Sequence, residues 1–257
     1  RAARGAMSGG QEPHAAPPAL APGVAKRPRA EDAPGAAKEE ADTWVEGLFR
    51  YRWRRRLTLF SDPRGALVRG TGSGMWSAGE VLADYLAERP ELYGGAACLE
   101  LGAGLGAVGL TLAACGAGRV VVTDVPKMLP LLEKNVEANF PNSQIAQARA
   151  LDWRCEGHRE GLRPDGGWGL VVGSDVGYDP DLFEPLLDTL VSQCSEDTAV
   201  YLALADREEE DEPNVADFVE AAKDRFSCQE VHSRRLEPFQ SNTKVLLMRL
   251  RPGQAAA

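Results

Sequence analysis

Ala97-Cys-Leu-Glu-Leu-Gly-Ala-Gly-Leu-Gly-Ala-Val-Gly109, followed by Val120-Val-Val-Thr-Asp124, decides the fold of this chain. It reads as an apolar strand, a glycine-rich turn, a helix and a second strand that ends in a carboxylate. Such a unit lays a nucleoside cofactor across the carboxyl ends of two parallel strands. The glycines let the backbone approach the ligand, and Asp124 can accept hydrogen bonds from both hydroxyls of a ribose.

The alternation continues outward from this unit. Strand 96–101 leads to a helix over 105–115, and strand 119–123 to a helix over 127–139. Strands 145–151 and 169–173 follow, with a helix over 181–194 after the second. Strand 199–205 precedes a helix over 214–226, and strands 228–236 and 244–250 close the chain with no helix between them. Repeated strand–helix units predict an α/β fold: a mostly parallel sheet with helices on both faces. The last two strands predict a C-terminal antiparallel hairpin.

Upstream, residues 48–60 partly alternate apolar and basic residues and predict one or two strands. Their arginines suit either an acidic substrate or the wet face of an edge ribbon. A helix then starts at Ser77, an expected N-cap in a capping box with Glu80. Val81, Leu82, Tyr85 and Leu86 form its apolar stripe, and Pro90 ends it. Residues 1–43, rich in Ala, Pro and Gly, are expected to be a disordered tail, and 44–252 one folded domain with 44–75 as an extension. Lys26-Arg27-Pro28-Arg29 reads as either a solvated charge cluster or a nuclear import signal.

Composition narrows the function. With 29 basic against 38 acidic residues the net charge is −9, which disfavours phosphate-backbone binding and so a nucleic acid partner. No apolar run is long enough for a membrane span. Five cysteines, widely spaced and without CxxC, predict free thiols in a reducing compartment. We therefore expect cytoplasmic residence, with the nucleus open, a monomer, and no metal.

Gly102, Gly104 and Ala107, with Asp124 about twenty residues on, satisfy the dinucleotide fingerprint, which alone does not choose the cofactor. Three features favour S-adenosylmethionine (SAM) over NAD. Glu100 stands just before the loop, where it suits a cofactor bearing an amino group and a sulfonium and repels a pyrophosphate. An ordered segment precedes the motif and includes Gly72-Ser-Gly-Met-Trp76. The fourth strand of the alternation ends in Ser174-Asp-Val-Gly-Tyr178, an acid and a tyrosine where the reactive group would sit. A ligand-free tight turn would explain the glycines but not Glu100 and Asp124 at these spacings.

Glu100-Leu-Gly-Ala-Gly-Leu-Gly106, Asp124, Leu151-Asp-Trp153 and Asp175-Val-Gly-Tyr178, with Trp76 upstream, resemble the seven-β-strand protein-lysine methyltransferases, methyltransferase family 16, over about residues 44–251. The resemblance implies a Rossmann-like seven-stranded SAM-methyltransferase sheet. It implies that Gly102, Ala103 and Gly104 line the methionine part of SAM near Glu100, and that Asp124 holds the ribose. Trp153 would pack at the adenine with Asp152 near its amine, Trp76 would close over the cofactor, and the Ser174 backbone would touch it. Asp175 and Tyr178 would shape the acceptor site as the catalytic pair. Gly177 stands where the family usually has a larger apolar or a small residue and implies a looser loop. The Asn/Asp-Pro-Pro-Tyr motif of adenine and glutamine methyltransferases is absent, since both prolines are missing. The implied partner is a protein carrying a target lysine. The acidic run Asp206–Glu212 reads either as a solvated acidic loop or as a surface that attracts a basic segment around that lysine. An NAD-dependent oxidoreductase and a non-catalytic SAM-binding module stand as alternatives.

Overall fold

The computed structural model describes residues 42–54, 56–206, 215–235 and 242–254. The expected tail lies outside them up to residue 41, as does the acidic run after Asp206.

The chain enters an antiparallel ribbon of three strands, β1 (Thr43–Val45), β2 (Leu48–Trp53) and β3 (Leu57–Ser61). Glu46 and Gly47, at φ 51° and 85°, form the two-residue turn between β1 and β2, the conformation that matches strand twist. β1 is too short to show as an alternating run, so the sequence predicts at most two of the three strands. Leu57 and Leu59 pack into the main core, while Leu48 and Phe60 join Leu105, Met128 and Leu131.

Helix α1 spans Ser77–Ala87 and buries Val81, Leu82 and Leu86, with Tyr85 half-buried. The capping box does not form. Trp76 is the N-cap and offers no side-chain cap bond, so Ser77 is already helical. Glu80 instead meets Arg54 of the ribbon at 3.0 Å. A tertiary ion pair has taken the carboxylate that local sequence assigned to the helix end.

The main sheet holds β4 (Ala97–Leu101), β5 (Arg119–Asp124), β6 (Ala146–Ala150), β7 (Leu170–Ser174), β8 (Ala199–Asp206), β9 (Phe226–Arg235) and β10 (Asn242–Leu250). Their order is β6-β5-β4-β7-β8-β10-β9. The first five strands in that order run parallel, and β10 lies antiparallel between β8 and β9. The predicted closing hairpin is therefore present, with the last strand inserted inside the edge rather than added to it. Helices α1, α2 (Ala107–Ala114) and α3 (Leu129–Asn139) cover one face. The short α4 (Glu156–Arg159), which the sequence did not reveal, α5 (Phe183–Gln193) and α6 (Val215–Ala222) lie on the other. Strand residues alternate between the two cores: Cys98, Val120 and Val172 face one, Leu99, Val121 and Val171 the other.

β4 is the switch point, because β5 lies on one side of it and β7 on the other. A crevice opens there at the carboxyl ends of the strands, the place where open α/β sheets bind ligands.

Candidate active site

The crevice is a cavity of about 370 Å³. Its floor is the turn between β4 and α2. Gly102, Gly104 and Gly106 all have left-handed backbone, at φ 60°, 53° and 78°. Gly106, as N-cap, delays α2 to Ala107, two residues later than its sequence suggests. A Cβ on Gly102 would stand 2.9 Å from Val176 Cγ1 and 3.2 Å from Trp153 Cζ2, and one on Gly104 3.0 Å from the Gly72 carbonyl oxygen. Glycine at 102 and 104 is thus demanded twice, by φ and by close approach. The Ala103 N–H, donating to the Thr123 carbonyl at 2.8 Å, ties the turn to β5.

Asp124 ends β5 beside this turn. Its Oδ2 accepts from the Gly104 N–H and its Oδ1 from the Val125 N–H, both at 2.7 Å. A carboxylate offers about four acceptor positions, so about two remain for ligand hydroxyls. Burial pushes its pKa up, against the two backbone donors and Lys127.

Glu100 lies beneath the turn and is fully buried. Its Oε2 accepts from the Gly109 N–H in the first turn of α2 at 2.8 Å. Burial drives its pKa to about 8; the Gly109 bond opposes the rise and Asp124 adds to it. So buried, Glu100 is a mostly neutral acid at pH 7, a group that a cationic ligand would ionise.

Trp153 follows β6 and lays its ring edge at Gly102. Its indole N–H is buried without a protein partner. Trp76 stands at the mouth, 47 % exposed, with its N–H donating to the Thr71 carbonyl at 2.7 Å. Ser174 ends β7, and Asp175 turns the chain at φ 53°, left-handed for a residue that is not glycine. Its N–H donates to the Ala203 carbonyl at 2.8 Å, so β8 holds the strained residue in place. Tyr178, 39 % exposed, completes the rim.

Ten of the eleven sequence-predicted residues therefore line one cavity: Trp76, Glu100, Gly102, Ala103, Gly104, Asp124, Trp153, Ser174, Asp175 and Tyr178. Asp152 is not among the lining residues. Its Oδ1 accepts from the Arg154 N–H at 3.0 Å, and its own N–H donates to His158 Nδ1 at 3.0 Å, so it shapes the turn into α4. Gly177 fits closely: a Cβ there would stand 3.2 Å from Leu204 Cδ2, toward the core.

The sequence reading did not single out Thr71 or Gly79, and took Met75, Leu105, Val108 and Val176 only as parts of its quoted stretches. Gly79 carried a signal. Glycine is costly in a helix, and here it faces Ser174, whose Oγ would lie 3.4 Å from an added Cβ, an ordinary contact distance.

Glycine cradle, ribose acid and buried glutamate at the switch point define a class, the nucleoside-cofactor enzymes of Rossmann-like fold. Comparison with known proteins supplies the family. A lysine methyltransferase family model matches residues 63–223. "Protein N-lysine methyltransferase METTL21A" of Danio rerio is 37% identical over 165 residues, covering 63% of this chain and 72% of that protein. "EEF1A lysine methyltransferase 3" of Mus musculus is 37% identical over 134 residues, covering 52% and 56%. Among solved structures, P. horikoshii TYW2 in complex with MeSAdo superposes with a TM-score of 0.54 at 14% identity, covering 80% of this chain and 72% of that one. Magnesium protoporphyrin IX methyltransferase from Synechocystis, with bound SAM, gives 0.50 at 17% identity, covering 66% and 77%. These structures share the fold. The chain belongs to the lysine methyltransferase family, and its methyl donor is SAM.

Proposed function

We propose that the chain methylates the side-chain amine of a lysine in a protein substrate, with cofactor and acceptor meeting in the cavity between β4 and β7. One observation carries the reading: the glycine turn, Asp124 and the Asp175–Tyr178 rim line the same cavity. SAM supplies there a methyl group on a sulfonium, already bonded to a good leaving group.

The protein's part is placement. Gly102, Ala103 and Gly104 cradle the amino acid part, Asp124 receives the ribose, and Trp153 and Trp76 wall the nucleoside. The acceptor lysine must shed a proton, since its unperturbed pKa is about 10.4. A half-buried aromatic rim disfavours its charged form. Tyr178 forms that wall and Asp175 orients the amine; in-line geometry provides much of the acceleration, so no dedicated general base is assigned. Asp206 itself is paired with Lys244 at 2.7 Å; the acidic residues that follow it in sequence carry the charge that would draw a basic segment of the substrate. All five cysteines are free thiols, which suits the cytoplasm or nucleus.

The test is calorimetric titration with S-adenosylhomocysteine, with NAD in parallel, followed by transfer of labelled methyl groups to protein lysine in cell extract. Micromolar binding of the former alone and label on lysine are expected. NAD binding would revive the oxidoreductase reading, and binding without transfer the non-catalytic one.

A further inference from the structure

Asp62, just past β3, is 1 % exposed and lies outside the cavity lining, and no step above uses it. Its carboxylate collects three consecutive backbone amides: Oδ1 accepts from Ala66 at 2.7 Å, and Oδ2 from Leu67 at 2.6 Å and Val68 at 2.7 Å. Its own N–H donates to the Ser73 carbonyl at 2.8 Å. Burial pushes its pKa up, but the donors from Gly65 to Val68 outweigh this and hold the carboxyl below its usual range. One side chain and one amide thus close residues 62–73 into a fixed loop.

The far end of that loop is cavity wall. Thr71 and Gly72 line the cavity. Gly72 lies against the glycine turn: a Cβ on it would stand 3.2 Å from Gly104 Cα. The Thr71 carbonyl receives the Trp76 indole N–H. The backbone of the loop therefore sets both the spacing over Gly104 and the pose of Trp76.

We propose that Asp62 is a positioning residue for cofactor binding, pinning the 62–76 strap over the glycine turn so that Gly72 and Trp76 complete the cavity. The proposal rests on the reading of this cavity as the SAM site. A carboxylate suits the task because it accepts several amides at once without offering a proton, and hydrogen bonds to a charged acceptor are the stronger kind.

Asp62→Asn keeps the shape but turns one acceptor oxygen into a donor facing amide donors. Gly65→Val strains the same loop with Asp62 intact, since Gly65 has φ +67° and a Cβ there would stand 2.9 Å from Arg69 Cγ. Both variants are titrated with S-adenosylhomocysteine, and their thermal midpoints are measured without ligand. A merely structural role lowers the midpoint yet leaves the Kd of the folded protein unchanged, because the fold lost on heating is intact at the titration temperature. Positioning raises Kd about tenfold in both, the scale of one lost charge-assisted bond. Unchanged Kd in folded Asp62→Asn overturns the proposal. If that variant fails to fold, the Gly65→Val titration decides by the same criterion. Wild-type protein that binds no S-adenosylhomocysteine overturns the SAM site instead, and the positioning role with it.

Discussion

At the β4–β5 end of the cavity a ligand meets backbone, whereas at the β7–β8 end it meets side chains. The first end is a turn of three left-handed glycines, with Asp124 bound to the amide of Gly104 and Glu100 to that of Gly109. The second is a strained Asp175 and a tyrosine that is more than a third exposed. A backbone cradle tolerates almost no substitution and suits a ligand that never changes. A side-chain rim can be altered one residue at a time and suits the half of the site that selects a partner. Substitutions at the first end should therefore abolish binding, and at the second turnover.

The largest effect is expected at the cradle. Gly102→Val places a β-branched residue at φ 60° and drives a Cβ to 2.9 Å from Val176. Left-handed strain and overpacking together are worth roughly 2–5 kcal/mol. S-adenosylhomocysteine affinity should fall on the order of 100-fold or more in calorimetry, with the fold confirmed by circular dichroism. Binding within a few fold of wild type would show that the turn is not the cofactor floor.

At the rim, Tyr178→Ala and Asp175→Asn should lower turnover on the order of 100-fold while the Kd for S-adenosylhomocysteine stays within about threefold, the signature of lost orientation at the reacting end. Asparagine is the informative choice at 175, since it tolerates φ 53° and removes only the charge. Parallel losses of binding and turnover would merge the two ends into one. Near-normal turnover would remove the assigned role.

The same contrast explains what could be read from the sequence. A cradle made of backbone needs glycine at fixed spacings, so Gly102, Gly104 and Asp124 stand out as a pattern, and the strand–helix alternation around them predicts the sheet. Thr71 reaches the cavity on a loop whose amides bind Asp62, an arrangement set by tertiary contacts that leaves no periodicity. Asp152 lies outside the lining: a carboxylate beside a site tryptophan looks like a ligand group, and here its Oδ1 accepts from the Arg154 amide of its own turn. Glu80 misled in the opposite way: its local capping role was real in pattern, and Arg54, 26 residues upstream, outcompeted it.

The smallest expected effect tests Glu100, the fully buried one of the cradle's two carboxyl side chains. With its pKa raised from 4.5 to about 8 by burial, Glu100 holds its proton in the folded protein while the unfolded chain releases it. Its contribution to stability is therefore fully present below pH 4.5 and is lost as pH rises toward 8, at a limit of about 1.4 kcal/mol per unit. Cofactor affinity runs the other way. A cationic ligand favours ionised Glu100, so binding below pH 8 costs the release of a proton, and affinity should climb between pH 6 and 8 by at most about tenfold per unit. Asp124 and Lys127 flatten that slope without reversing it, since the first opposes ionisation of Glu100 and the second stabilises Asp124 as an anion. Glu100→Gln fixes the neutral state: its stability above pH 6 should exceed that of wild type, and its SAM affinity should be about tenfold weaker at pH 8 and flat with pH. SAM titrations at pH 6, 7, 8 and 9 in two buffers of different ionisation heat read both the slope and the proton released. A wild-type Kd as flat as that of the glutamine variant would make Glu100 a buried brace for α2, and the cradle would then bind through backbone and Asp124 alone.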